Sequence, residues 1–308
     1  MRLAMTLAAT LLVAAVSPAQ AGLVGAAANY NVFVFNNFTS ANSDTEGNLA
    51  AGGNVNISNY SVASSIAGNG SQSPNAARLV AGGTVTATNG GVGNGQNGAV
   101  YSVGGANLSS FTATGGSFVQ SLVNFSTSQS QYQNLSTAWS GLATTGTTSS
   151  AYGTVNLSGT NVGLNVFSLN GSTLTGSNTI NITAPSNSTV LINVSGTGEF
   201  FQNGQVFLTG VDPSHVIYNF YNSTAVTLTG SKNPMGSILA PWAAVTGGYG
   251  ALYGQLIASS FSGNIEFHNY LFGGTIADAN SVPEPMGLWW FVLGLAGLAW
   301  HGRNPKRA

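Results

Sequence analysis

The chain has 308 residues, of which 4% are charged and 42 are glycine, and it contains no cysteine. That length allows one large or two ordinary domains, while the missing thiols exclude disulfides and thiolate metal centres in any compartment. Between Gly22 and Asn280 the only strong bases are Arg78 and Lys232, against Asp44, Glu46, Glu199, Asp212, Glu266 and Asp278, so a phosphate backbone finds no counter-charge and nucleic acid is excluded as a partner.

Residues 1–21 read as a signal peptide. Arg2 precedes the mostly apolar Leu7 to Val16, and Ala19-Gln20-Ala21 supplies the small residues flanking a signal-peptidase cut before Gly22. The mature chain is therefore expected to leave the cytoplasm.

From residue 22 the chain repeats itself loosely. Ala51-Gly52-Gly53-Asn54-Val55 returns as Ala81-Gly82-Gly83-Thr84-Val85 and, weakened, as Val103-Gly104-Gly105-Ala106-Asn107-Leu108. Upstream, Asn42-Ser43-Asp44-Thr45-Glu46-Gly47 copies the first half of a calcium loop, with Asn42, Asp44 and Glu46 as candidate ligands. Its twelfth position is Gly53 where a bidentate Glu is required, which excludes an EF-hand and favours a solvated turn or local hydrogen-bond network. No cofactor is expected. Gly93-x-Gly95-x-x-Gly98 matches a dinucleotide fingerprint only formally, since it neither leaves an apolar strand nor opens a helix.

One segment has a different period. Phe118, Leu122, Phe125, Tyr132, Leu135, Trp139 and Leu142 recur at three, four or seven, which predicts a single amphipathic helix from about 117 to 142 packed along a β-rich body. From Thr154 onward short alternating strands bounded by Gly, Asn and Ser dominate. Gly236-Ser237-Ile238-Leu239-Ala240 recurs 18 residues later as Gly254-Gln255-Leu256-Ile257-Ala258. Repeats of about 16 to 22 residues suit the coils of a solenoid better than propeller blades of about 40 or more. A β-sandwich is the alternative.

Chemistry-bearing groups are sparse. His215 beside Asp212 reads as part of an Asp-Pro turn, and Glu266-x-His268 puts two side chains on one strand face, as a structural pair or an acid/base or metal pair. The threonine runs Thr84-x-Thr86-x-Thr88, Thr173-x-Thr175 and Thr227-x-Thr229 are not expected to recur in step on successive coils.

The end of the chain is an address. Residues 278–285 form a linker ending in Val282-Pro283-Glu284-Pro285, residues 286–301 an expected transmembrane helix, and residues 302–308 a basic cytoplasmic tail carrying Arg303, Lys306 and Arg307. These residues resemble a PEP-CTERM sorting signal. The resemblance implies an exosortase partner, transient anchoring in the inner membrane of a Gram-negative bacterium, and release to the cell surface or an extracellular matrix.

The body in turn resembles the choice-of-anchor A family, through Ala28 to Val62, the helix, Ser188 to Gly196, Gly236 to Thr246 and Gly254 to Phe272. That resemblance implies an all-β, right-handed β-solenoid of the ice-binding-like adhesive kind over residues 22–277, with the helix at its flank. The expected role is an exported, non-enzymatic adhesin that contacts extracellular polysaccharide or matrix, with ice binding and polysaccharide-active catalysis as the alternatives.

Overall fold

The computed structural model describes residues 20–21, 23, 25–67, 77–95, 97–196, 198–201, 204–228 and 230–277. Ala19, the motif Val282 to Pro285, the expected span 286–301 and the tail with Arg303, Lys306 and Arg307 lie outside them. Among the described residues no helix is long and apolar enough to cross a membrane.

The body is a parallel β-solenoid with three faces, traversed in the same order in each coil. One face, here the helix face, stacks Leu164–Asn170, Thr189–Ser195, Val216–Phe220, the first part of Ser237–Gly247, the first part of Leu256–Gly263, then Val32–Val34, Leu49–Ala51, Leu79–Ala81, Val100–Ser102 and Ser117–Val119. The second, the open face, stacks Glu199–Phe201, Ala225–Leu228, the later parts of Ser237–Gly247 and Leu256–Gly263, and the early parts of Phe38–Thr45, Val55–Ala67, Val85–Asn94 and Ala106–Thr112. The third carries Thr154–Ser158, Thr179–Thr183 and Gln205–Thr209 at one end, capped by the antiparallel Thr147–Ala151, and Ala251–Tyr253 with Glu266–His268 near the middle. Parallel pairing throughout the body rules out a sandwich of antiparallel sheets.

Both sequence repeats stack in register, Ala51 beside Ala81 and Val55 beside Val85 in one, Ile238 beside Leu256 and Ala240 beside Ala258 in the other. Coil length is less regular than expected. Val32 to Leu49 to Leu79 to Val100 spans steps of 17, 30 and 21 residues, because the second coil has more residues between Val62 and Leu79 than the first has between Thr45 and Leu49. At the repeated corner the chains nearly touch: a Cβ on Gly82 would sit 2.3 Å from the carbonyl oxygen of Gly52. Side-chain amides step along the same edge, Asn37 Oδ1 accepting from Asn54 N–H at 2.8 Å and Asn54 Oδ1 from Thr84 N–H at 2.9 Å.

Chain order and spatial order differ. The first coils run from the middle of the solenoid to one end, the helix carries the chain back, and the later coils run from the far end to the middle. There Leu256–Gly263 docks beside the first coil, with Phe38 stacked on Phe261 at 5.2 Å. The two ends of the described body therefore meet, Gln20–Ala21 pairing antiparallel with Ile276–Ala277. Gln20 and Ala21 lie on the signal side of the expected cut.

Strands on the helix face are buried on both sides, so most read as unbroken apolar runs such as VFV and LVA. Their inner residues fill the solenoid core. Their outer residues, among them Phe33, Val80, Tyr101, Ile217 and Leu239, form a second core under the helix. That helix, α1, runs Phe125–Ser140 rather than from about 117. Asn124 starts it by accepting the Thr127 N–H at 3.1 Å, and Ser117–Val119 is instead the last strand of the helix face. Phe118 fits the helical stripe only by coincidence, since it packs on Tyr101 with centroids 5.0 Å apart. Within α1, Ser128, Tyr132, Leu135, Ser136 and Trp139 are buried on one face.

A short helix, α2 (Gly171–Gly176), takes the place of an open-face strand at the far end. Lys232, 1% exposed, reaches its C-terminus and donates to the carbonyl oxygens of Leu174 and Ser177 and to Ser177 Oγ. Burial lowers its pKa to about 8. From about pH 8 upward the unfolded chain binds a proton that the folded chain has released, so stability rises with pH. Above about pH 10 the trend reverses. Burial raises Tyr30 and Tyr132 to about 12 and raises Tyr60 and Tyr218 as well, so the unfolded chain loses those protons first. Urea denaturation is expected to show a gain of about 1 kcal/mol from pH 8 to pH 9, before the tyrosines offset it, and Lys232→Met should flatten that gain.

Candidate functional site

Alternation along each open-face strand sends apolar side chains inward and short polar ones outward. Phe38, Val55, Val85, Val226, Val245 and Phe261 are buried, while Thr39, Asn56, Thr86, Asn107, Thr246 and Ser262 are exposed. Register then aligns the outward set into one row across successive coils: Thr227, Thr246, Ser262, Thr39, Asn56, Thr86, Asn107. Neighbours in such a row are about 4.8 Å apart. A second, shorter row beside it consists of Ala41, Ser58, Thr88 and Ser109. Between them lies a shallow groove of about 400 Å³ lined by residues of both rows together with Asn264. The row carries no charge, and its hydroxyl and amide groups both donate and accept.

The threonine runs themselves do not fall on successive coils. Thr86 and Thr227 share the row, and the positions between them are filled by Thr39, Thr246, Ser262 and Asn56, which belong to no threonine run. Thr173 and Thr175 lie in α2 instead.

The calcium-loop candidates are separated by the fold. Asn42, with φ 54°, turns the corner between the open and third faces, and its Oδ1 accepts from Asn59 Nδ2 at 2.9 Å, while Asn59 Oδ1 accepts from Asn89 Nδ2 at 3.1 Å. Asparagine tolerates this left-handed conformation better than most residues. Asp44 accepts from Ser64 Oγ at 2.5 Å. Glu46 joins neither. It sits where the first coil meets the last, its Oε1 3.2 Å from His268 Nδ1 and its Oε2 accepting the Asn269 N–H at 2.8 Å. Burial opposes charge on Glu46, but the bonds from Asn269, His268 and Ser65 outweigh it and hold the carboxyl below its ordinary value. Glu266 Oε1 lies 3.7 Å from the same His268 Nδ1, so the Glu266-x-His268 pair of the sequence gains Glu46 as a third member.

His215 and Asp212 form the expected turn, 3.2 Å apart, with Asp212 also accepting from Ser214 N–H at 2.8 Å. Burial opposes charge on Asp212, but the bonds from Ser214 and His215 together outweigh it and hold the carboxyl below its ordinary value.

Residues 23–269 match a family model described as "Putative Ice-binding-like adhesive domain". The chain belongs to this ice-binding-like adhesive family. No match was found among curated proteins or among solved structures. The matched span of the adhesive domain includes the whole open-face row and the Glu46, Glu266 and His268 cluster. Sequence reasoning missed the row, and it singled out Glu46 and the Glu266-x-His268 pair without bringing them together. Part of the row was recoverable, because aligning the Gly-Gly repeats places Asn56 beside Thr86. The cluster was not, because its members come from coils more than 200 residues apart in sequence.

Proposed function

We propose that this adhesive domain is an exported surface or matrix protein that grips extracellular polysaccharide through its open face. It is delivered by the signal peptide, held transiently in the inner membrane by the C-terminal span, and released by an exosortase at Pro283-Glu284-Pro285, in adhesion or biofilm formation. The observation that carries this reading is the uncharged row from Thr227 to Asn107. A flat ladder of hydroxyls and amides offers many weak, equivalent contacts to a repeating polyol, and display of many copies multiplies them. The adhesive character of the family supports the same reading and a non-enzymatic role.

The face is tested by Thr39→Tyr combined with Thr86→Tyr. Both positions are exposed, so the double variant is expected to fold normally and to lose avidity for extracellular polysaccharide by about 100-fold. Undiminished binding would count against the open face. Delivery is tested separately by mass spectrometry of the extracellular form, which should lack the apolar run Met286 to Trp300; an intact run would overturn release by processing.

The register of Thr227, Thr246, Thr39 and Thr86 also favours a second reading, ice binding, since hydroxyls held in step on a flat sheet can match an ordered water lattice. Thermal hysteresis of the purified protein separates the two, and its presence would place ice ahead of polysaccharide.

A further inference from the structure

Glu46 Oε1 and Glu266 Oε1 approach one and the same atom, His268 Nδ1, at 3.2 and 3.7 Å. A ring N–H donates to one acceptor with good geometry, so a proton cannot serve both carboxylates, and the like charges repel each other. No lysine or arginine forms a salt bridge with either acid among the described residues.

The spacing suits a different occupant. One ligand atom from each residue lies within 4.8 Å of the other two. Around a tetrahedral zinc ion with bonds of about 2.0–2.2 Å, ligand atoms stand about 3.4 Å apart, between the two distances observed here. His268 is held in place by Tyr253, whose ring centroid is 4.4 Å away, and Glu46 by the Asn269 N–H, so two of the three ligands are already oriented. Beside them the buried Asn269 Oδ1 has no hydrogen-bond partner.

We propose that Glu46, Glu266 and His268 bind a first-row divalent cation, zinc by their donor set, which clips the last coil of the solenoid to the first. Two carboxylates and an imidazole, with room for a water, match zinc, whereas calcium requires six to eight oxygens. The position gives the clip a purpose. On the third face the seam between the coils rests on one ladder pair, Phe267 with Thr45. A cation there joins Glu46 to strand Glu266–His268 across that pair and stabilises only the folded state.

The test uses the purified chain stripped with a chelator. Zinc, added alone, is expected to bind at one equivalent by calorimetry and to raise the unfolding temperature by several degrees, with magnesium and calcium producing no comparable shift. Glu46→Gln and His268→Ala should each weaken zinc binding by ~100-fold or more, since even partners that only orient ligands are worth 10–100-fold. His215→Ala, outside the cluster, should leave it unchanged. Should either variant fail to fold, Glu266→Gln serves in its place, because that side chain is 43% exposed. Absence of zinc binding, equal binding by the variants, or an equal shift with calcium would overturn the proposal.

Discussion

Gly90→Ala is expected to destabilise the domain severely. Gly90 has φ +135°, and a Cβ built on it would lie 1.9 Å from the carbonyl oxygen of Tyr60 and 3.2 Å from its nitrogen. Both are backbone atoms of the adjoining coil, where Tyr60 and Gly90 are register partners, so no side-chain rotation relieves the clash. Tyr60 cannot retreat either. It is 1% exposed, packs on Phe38 at 5.9 Å and shares a 2.5 Å hydrogen bond with Thr45 on the next coil. Strained backbone and displaced core together cost on the order of 4 kcal/mol or more, or ~10 °C in unfolding temperature. Gly163→Ala is the control: no atom lies within 4 Å of its Cβ position and its φ is not positive, so the substitution should be neutral or slightly stabilising. Thermal and urea denaturation of both variants check the contrast, and equal stability would show that coil spacing at Tyr60 has slack the geometry does not reveal.

Asn219→Leu is expected to loosen α1 from the solenoid. Asn219 is fully buried, donates to Ser136 O at 2.9 Å and Asn193 Oδ1 at 2.8 Å, and accepts from Ser136 Oγ at 2.5 Å. Asn193, its register partner, donates to Trp139 O at 2.8 Å. Two buried amides thus hold the helix by its own carbonyls, at a place where the surrounding contacts are apolar and non-directional. Leucine fills the volume but leaves several buried groups unpaired, for a loss of about 3 kcal/mol. Combining it with Ser136→Ala should cost less than the sum of the two, because the alanine removes one of the stranded groups. Hydrogen exchange along Phe125–Ser140 should accelerate before exchange in the strands does.

Legibility followed how local each feature is. The repeats at Gly52-Gly53 and Gly82-Gly83 declared the stacking directly, because the same residues recur at the same corner of successive coils. The offset of 18 between Ile238 and Leu256 did so as well, but only for the helix face. Past Ala240 the register shifts, so that Ala244 faces Ser260, and Thr246 stands beside Ser262 instead of Asn264. A bulge of that kind leaves no mark in composition, which is why the place of Thr246 in the row was not legible. The start of the helix was obscured for another reason. Phe118 and Leu122 are apolar because they cover the last strand and the helix entrance, and spacing alone cannot tell those demands from a helical stripe. Glu46 and His268 were beyond reach because the return of the chain to its first coil is a matter of topology. Even there a faint echo exists: Val32 to Phe38 and Leu256 to Phe261 carry apolar residues at matching places, interrupted by one irregular residue at the corner.

Because the chain enters and leaves at the midpoint, the way the molecule bears mechanical load is set. A pull on the segment leaving at Ala277 travels back to a strand, Leu256–Gly263, that is bonded to neighbours on both flanks. A rod tethered by its tip would shed turns one at a time, each losing a single ladder. Here the first turn to yield must tear two ladders at once, and both tips stay unloaded, which suits a body meant to hold while something drags on it.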